Sequence, residues 1–173
     1  MSHKVIFSHA NGYPARSYRV LTDAIGRECD IQVFDHRPLW GGAPPGQFLS
    51  WQTYASDLIE HIELDLAGPM WLVGHSMGAA SGILAAARRP ELFAGIVALD
   101  PVLVPTRIWV WSALVNRLMP SGMPIIKRAF ARPHEFEDLD SAFKFYRGKR
   151  VFSAISYEVL RDYVEAGHVV IKD

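Results

Sequence analysis

The chain has 173 residues, 50% hydrophobic and 21% charged, the balance of one folded domain with its own core. Eighteen Lys and Arg offset eighteen Asp and Glu, so there is no basic surplus to bind nucleic acid. Cys29 stands alone, which excludes an internal disulfide framework, and no apolar run reaches the roughly 18–20 residues of a membrane span.

The N-terminus enters a short apolar strand over 4–8, without the apolar stretch and cleavage site of a signal peptide; a cytoplasmic location is the expectation. A loop follows, His9-Ala10-Asn11-Gly12-Tyr13-Pro14, with turn chemistry in Asn-Gly and Pro. Residues 17–29 read as a helix with Tyr18, Leu21 and Ile25 on one face and Cys29 as a buried thiol near its end. A second strand over 31–34 runs into Asp35-His36-Arg37-Pro38, and a Gly- and Pro-rich loop covers 41–46. The next helix spans about 50–66, with Trp51, Tyr54, Leu58 and Ile62 along a face and Ser50 as its candidate cap.

The apolar run Met70-Trp71-Leu72-Val73 then reads as a buried strand. Gly74-His75-Ser76-Met77-Gly78 follows it, and a small-residue helix over 79–87 comes next, closed by Pro90. A bare Gly-x-Ser-x-Gly arises by chance. Between a buried strand and a helix it is a nucleophile elbow, in which glycines spare the sharp turn two clashing Cβ atoms. The helix N-terminus beneath the turn presents free N–H groups and a positive dipole end. A fourth strand over 95–99 ends at Asp100-Pro101. Four strand–helix alternations predict an α/β fold with a parallel sheet covered on both faces and reactive groups at the carboxyl ends of its strands. His9 to Tyr13, Asp35, Ser76 and Asp100 all fall there.

From about residue 105 the pattern turns helical, over 106–119, 124–131, 136–146 and 151–165, with Gly167 as a stop. An apolar run at 169–171 reads as the beginning of another strand. Trp109, Trp111, Leu114, Val115 and Leu118 make the first of these helices apolar on more than one face, as fits either a lid lining an acyl pocket or ordinary core packing.

With the elbow in its strand–turn–helix setting, the chain resembles the α/β-hydrolase superfamily from residue 4 to Asp100, and more loosely beyond. The resemblance implies a core over 1–104, a helical cap over 105–168 and the start of a return strand at 169–173. It implies the sheet order second strand, first, elbow strand, fourth. It also implies a chain that stops before its last strands, so that the fourth strand is left as an apolar edge.

The chemistry implied is that of a serine hydrolase cleaving an ester, thioester or related acyl bond of a small apolar substrate, with no metal or cofactor. Ser76 is the nucleophile, and the Met77 N–H is one oxyanion donor. Asn11 is the favoured second donor, with Gly12 and Tyr13 as alternatives, because this loop departs from the usual His-Gly pattern. His75 is read as non-catalytic and His9 as structural. For the acid and base, Asp100 and His168 form a compressed alternative to partners beyond residue 173; His134 reads as a solvated cap residue. A non-catalytic ligand-binding member of the fold, or an acyltransferase, is the competing reading. Oligomeric state is not legible.

Overall fold

The computed structural model describes residues 2–40, 50–65, 68–103, 133 and 135–168. The helices expected over 106–119 and 124–131, His134 and the strand over 169–171 lie outside them. The described chain forms four parallel strands: β1 (His3–Ser8), β2 (Cys29–Phe34), β3 (Met70–His75) and β4 (Phe93–Leu99). Their order is β2-β1-β3-β4, as the resemblance implies. Val5 pairs with Ile31 on one side and Trp71 on the other, and the β1–β3 ladder ends at Ser8 opposite Gly74.

The strand pattern sends alternate residues to opposite faces. Ile6 and Leu72 face a cluster with Ala55, Leu58, Ile59 and Ile62 of helix α2 (Trp51–Asp65) and Ala85 of helix α3 (Met77–Arg88). Val5, Phe7 and Val73 face the other way, against Tyr18 and Ile25, the latter on helix α1 (Arg19–Gly26). So α2 and α3 cover one face and α1 the other. Ser50 caps α2 as its sequence suggests, its Oγ accepting from Thr53 N–H at 3.2 Å.

Burial on both faces, expected of every strand, holds for most of the inner strands, Trp71 of β3 being 38% exposed. The core-facing stretches of β1 and β3 are buried, whereas Val33 of β2 is 47% exposed and Val97 of β4 44%. Among the described residues β2 and β4 are the outer strands, each with a strand neighbour on one side.

Two helix expectations are corrected. Residues 17–29 do not form one helix. A 3-10 turn (Ala15–Tyr18) leads into α1, which ends at Gly26, and Cys29 opens β2, half-buried. The buried positions are Ser17, Thr22 and, in part, Tyr18 and Ile25, while Leu21 is 37% exposed. The helix expected from 151 begins only at 157. Residues 151–155 are turns, and the last helix, α5 (Tyr157–Gly167), is started by Ser156, whose Oγ accepts from Val159 N–H at 3.3 Å. Before it, α4 (Leu139–Arg147) is capped by Asp138, whose carboxylate accepts from Ser141 N–H at 2.6 Å.

Helices α4 and α5 have a core of their own, built on Ala142, Tyr146, Leu160, Tyr163 and Val164. Tyr13, from the loop after β1, joins it with its ring 5.0 Å from Tyr163. Arg19 fastens α5 to α1, donating to the buried Asp162 at 2.9 Å and to Glu158 at 3.0 Å. No described helix is long and apolar enough to cross a membrane.

Candidate active site

Ser76 is the whole connection between β3, which ends at His75, and α3, which begins at Met77. Its backbone sits at φ 52°, ψ −110°, in the positive-φ half of the map that residues other than glycine avoid. Such a conformation costs roughly 1–3 kcal/mol and persists only where its surroundings over-determine it. Those surroundings are visible. Ser76 N–H donates to the Leu99 carbonyl at the end of β4 (2.9 Å), and Ser76 C=O accepts from Ala80 N–H as the first bond of α3 (3.0 Å). Ser76 is thus the N-cap of α3, yet its side chain makes no capping bond. Most cap serines spend the hydroxyl on the helix; this one has no hydrogen-bond partner among the described residues.

The flanking glycines are explained by close approach. A Cβ on Gly74 would lie 2.6 Å from Ala79 Cα and 2.7 Å from its nitrogen. A Cβ on Gly78 would overlap the Ser8 carbonyl and lie 2.7 Å from the His9 oxygen. Only glycine lets α3 start this near the end of β1.

That closeness brings the two expected oxyanion donors to one place. Met77, whose N–H is among the four that a helix start leaves without intrahelical partners, lines a cavity of about 410 Å³ together with Asn11, Gly12 and Tyr13. His9 and His36 lie on its inner side, and Tyr146, Tyr163 and His168 on the side of α4 and α5. The cavity is therefore polar where the strands end and aromatic where the helices face it.

Beneath the loop, polar contacts set its shape. His9, 3% exposed, has Nδ1 2.8 Å from the Ala10 carbonyl, while its Nε2 accepts from His36 N–H at 3.0 Å. A ring that accepts at Nε2 and donates at Nδ1 is neutral. Burial agrees, pushing the His9 pKa below its ordinary value against the opposing pull of the Ala10 carbonyl and Asp35. His36 is fully buried, with Nε2 2.9 Å from Ser8 Oγ and Nδ1 without a hydrogen-bond partner among the described residues. Burial, helped by the nearby His9, lowers its pKa to about 3. Below it, the buried Asp57 pairs with Arg37 through both carboxylate oxygens.

His75 does not turn towards Ser76's hydroxyl; its Nδ1 is 2.6 Å from the hydroxyl of Tyr18. His168 Nδ1 is 2.9 Å from the Val164 carbonyl, and its ring packs edge-on to Phe136 and Tyr146. Asp100 follows β4 at φ 44° and makes no side-chain hydrogen bond or ion pair among the described residues. So His168 reaches the cavity, and Asp100 does not reach His168. No hydrogen bond joins a histidine to Ser76 Oγ among the described residues. Sequence reasoning passed over Tyr18, read only as an apolar helix position, and His36. Their signal was positional, because His36 follows a strand end as His9 does.

Residues 5–171 match the sequence model of the Alpha/beta hydrolase family. Monoglyceride lipase of Rattus norvegicus is 32% identical over 131 residues, covering 70% of this chain and 43% of that protein. The monoglyceride lipase homolog of Monkeypox virus is 28% identical over 149 residues, covering 82% and 54%. The chain spans about half the length of these relatives. Among solved structures, an M. tuberculosis esterase superposes with TM-score 0.67 at 20% identity, over 95% of this chain and 53% of that one. E-2-(Acetamidomethylene)succinate hydrolase gives TM-score 0.65 at 23% identity, over 96% and 56%. At these identities the two structures speak to the fold alone.

Proposed function

The chain belongs to the alpha/beta hydrolase family, and from that membership we propose that Ser76 is the nucleophile of an acyl hydrolase acting on an ester or thioester of a small, largely apolar substrate. The observation behind this reading is the Ser76 side chain, held at positive φ between β3 and α3 and making no capping bond to the helix it starts. Strain with no structural use for its side chain is the signature of a residue positioned for chemistry.

Ser76 Oγ attacks the acyl carbon while a general base takes its proton. The carbonyl oxygen becomes an oxyanion between the N–H groups of Met77 and Asn11, each such donor being worth about 10²–10³ in rate. Collapse expels the alcohol or thiol, which leaves with the proton, and water then releases the acid from the acyl-enzyme by the same steps in reverse. The aromatic wall of Tyr146 and Tyr163 suits an apolar acyl or alcohol group. The monoglyceride lipases it resembles make a lipid-derived ester the first substrate class to try.

The base and its carboxylate are the part the described residues do not supply, since among them no histidine bonds to Ser76 Oγ and no carboxylate bonds to His168, whose Nδ1 lies on the Val164 carbonyl. That observation favours a second reading, a ligand-binding member of the fold with an inert serine. A serine-directed fluorophosphonate probe and p-nitrophenyl butyrate turnover separate the two. Hydrolysis together with labelling at Ser76, both abolished in a folded Ser76→Ala variant, supports the hydrolase. Turnover that survives Ser76→Ala refutes it, and a folded chain that neither labels nor turns over supports the second reading.

A further inference from the structure

The two oxyanion donors belong to segments that the sheet no longer holds together. β1 and β3 are joined by ladder hydrogen bonds only as far as Ser8 opposite Gly74. Past that pair the chains diverge, one into the loop at Ala10 and Asn11, the other through His75 to Ser76 and Met77. We propose that Tyr18 is a positioning residue that carries the β1–β3 connection past the end of the ladder and holds the Asn11 and Met77 donors in register. The proposal rests on the reading of those two N–H groups as an oxyanion hole.

The hydroxyl of Tyr18 lies between the two segments. It accepts from Ala10 N–H at 3.3 Å and is 2.6 Å from Nδ1 of His75. A phenol has one proton to give, and an amide N–H cannot receive it. We assign that proton to His75 Nδ1, the arrangement in which the phenol both accepts and donates across the bridge, with the ring as its Nε2–H tautomer. Burial, with the nearby Tyr13 ring, pushes the Tyr18 pKa up to about 12, partly offset by the Ala10 N–H, so the hydroxyl keeps its proton at any working pH.

Each end of the bridge is one short step from a donor. Ala10 C=O and Asn11 N–H share one rigid peptide plane. The carbonyl side of that plane is held by His9 and by Tyr13 N–H at 3.2 Å, and Tyr18 holds the peptide before it. At the other end, His75 is separated from Met77 only by the strained Ser76. The ring of Tyr18 is itself fixed against Phe7, 4.7 Å away. A displacement of about 1 Å between catalytic groups can cost 10²-fold in rate, so a bridge of this kind matters without touching substrate.

Tyr18→Phe keeps the ring and removes the bridge. In ¹⁵N spectra of the full chain, the amide signals of both Asn11 and Met77 should shift, and His75 should lose its single Nε2–H tautomer. With ester turnover measured on the same samples, kcat should fall about ten-fold while KM stays within about two-fold, because the loss falls on transition-state contacts. If Tyr18→Phe does not fold, His75→Gln cuts the bridge from the other end, and the signal to follow is Asn11. A Met77 amide and a His75 tautomer unchanged in Tyr18→Phe, or an Asn11 amide unchanged in His75→Gln, would overturn the proposal, as would an unchanged kcat. A chain with no turnover at all sinks the hydrolase reading, and the spectra still decide the bridge.

Discussion

His36 should make the protein acid-sensitive in a way that can be isolated. Its ring is fully buried among Phe34, Tyr54 and His9, with ring centroids 4.8–5.1 Å away, and its pKa falls from the ordinary 6.5 to about 3. The folded value lies below the unfolded one, so protons bind preferentially to the unfolded chain. The contribution to stability is complete above 6.5 and is lost as pH falls from there towards 3. At about pH 5 an unfolded histidine is almost fully protonated while the folded one is still neutral, and linkage gives a loss of about 2 kcal/mol. That figure barely changes if the folded value moves by a unit, because the folded ring remains neutral either way. His9 is shifted in the same direction by its own burial, so the whole chain loses more than His36 alone predicts.

The comparison is therefore wild type against His36→Asn, with His9 present in both. Urea unfolding at about pH 8 and about pH 5 gives each protein's loss of stability. The wild type should lose about 2 kcal/mol more than the variant over that interval. Whether His36→Asn is less stable overall does not enter, since only the difference between the two pH values is read. Equal losses in the two proteins would mean that the folded His36 accepts a proton as readily as the unfolded one. The buried, neutral ring described above would then be wrong.

The two glycines of α3 should behave differently when replaced by alanine. Gly78→Ala drives a Cβ into the backbone carbonyl of Ser8, which cannot move without separating α3 from β1, so a loss of about 2 kcal/mol in urea unfolding is expected, with reduced turnover from a displaced Met77 N–H. Gly82→Ala meets only the side chain of Leu72, and the helix preference of alanine, worth about 1 kcal/mol, offsets much of the repacking; equal losses in the two variants would refute the close approach. Arg37→Met should lower the thermal midpoint more than Arg161→Met, because it strands the buried Asp57 whereas Asp140 and Glu165 are exposed to water.

The elbow was legible because everything that defines it is local. A buried strand, a serine between glycines and a small-residue helix occupy a single stretch of sequence, and the structure differs only in starting α3 at Met77 rather than 79. The strand order followed from resemblance, and the Ser50 cap from its position before an apolar-periodic run. The misplaced helix boundaries have local causes too. A 3-10 turn before α1 and turns before the Ser156 cap both have compositions that a helix tolerates, and periodicity alone does not separate them. What sequence could not give is the set of contacts between distant strand ends. Ser8 with His36, His9 with His36 and Tyr18 with His75 link residues 27 to 57 apart. None of these pairs has a spacing rule, because each is made by the sheet.

Those same contacts explain how Ser76 is kept in an unfavourable conformation. Three elements act on it from three sides. β4 accepts its N–H through Leu99, β1 receives Gly78 against the Ser8 carbonyl, and Tyr18, just ahead of α1, holds the preceding His75. Relaxing φ at Ser76 would break the Leu99 bond or push α3 off β1, and a hydrogen bond such as this one, between half-buried Ser76 and exposed Leu99, is worth about 0.5–1.5 kcal/mol net. That is comparable to the roughly 1–3 kcal/mol of the strain itself. The balance is close, so the loss of any one of the three supports should loosen the serine before it unfolds the sheet. The position of Ser76 is then a property of the meeting point of β1, β3 and β4, with the Gly-x-Ser-x-Gly sequence permitting the turn that the surrounding strands impose.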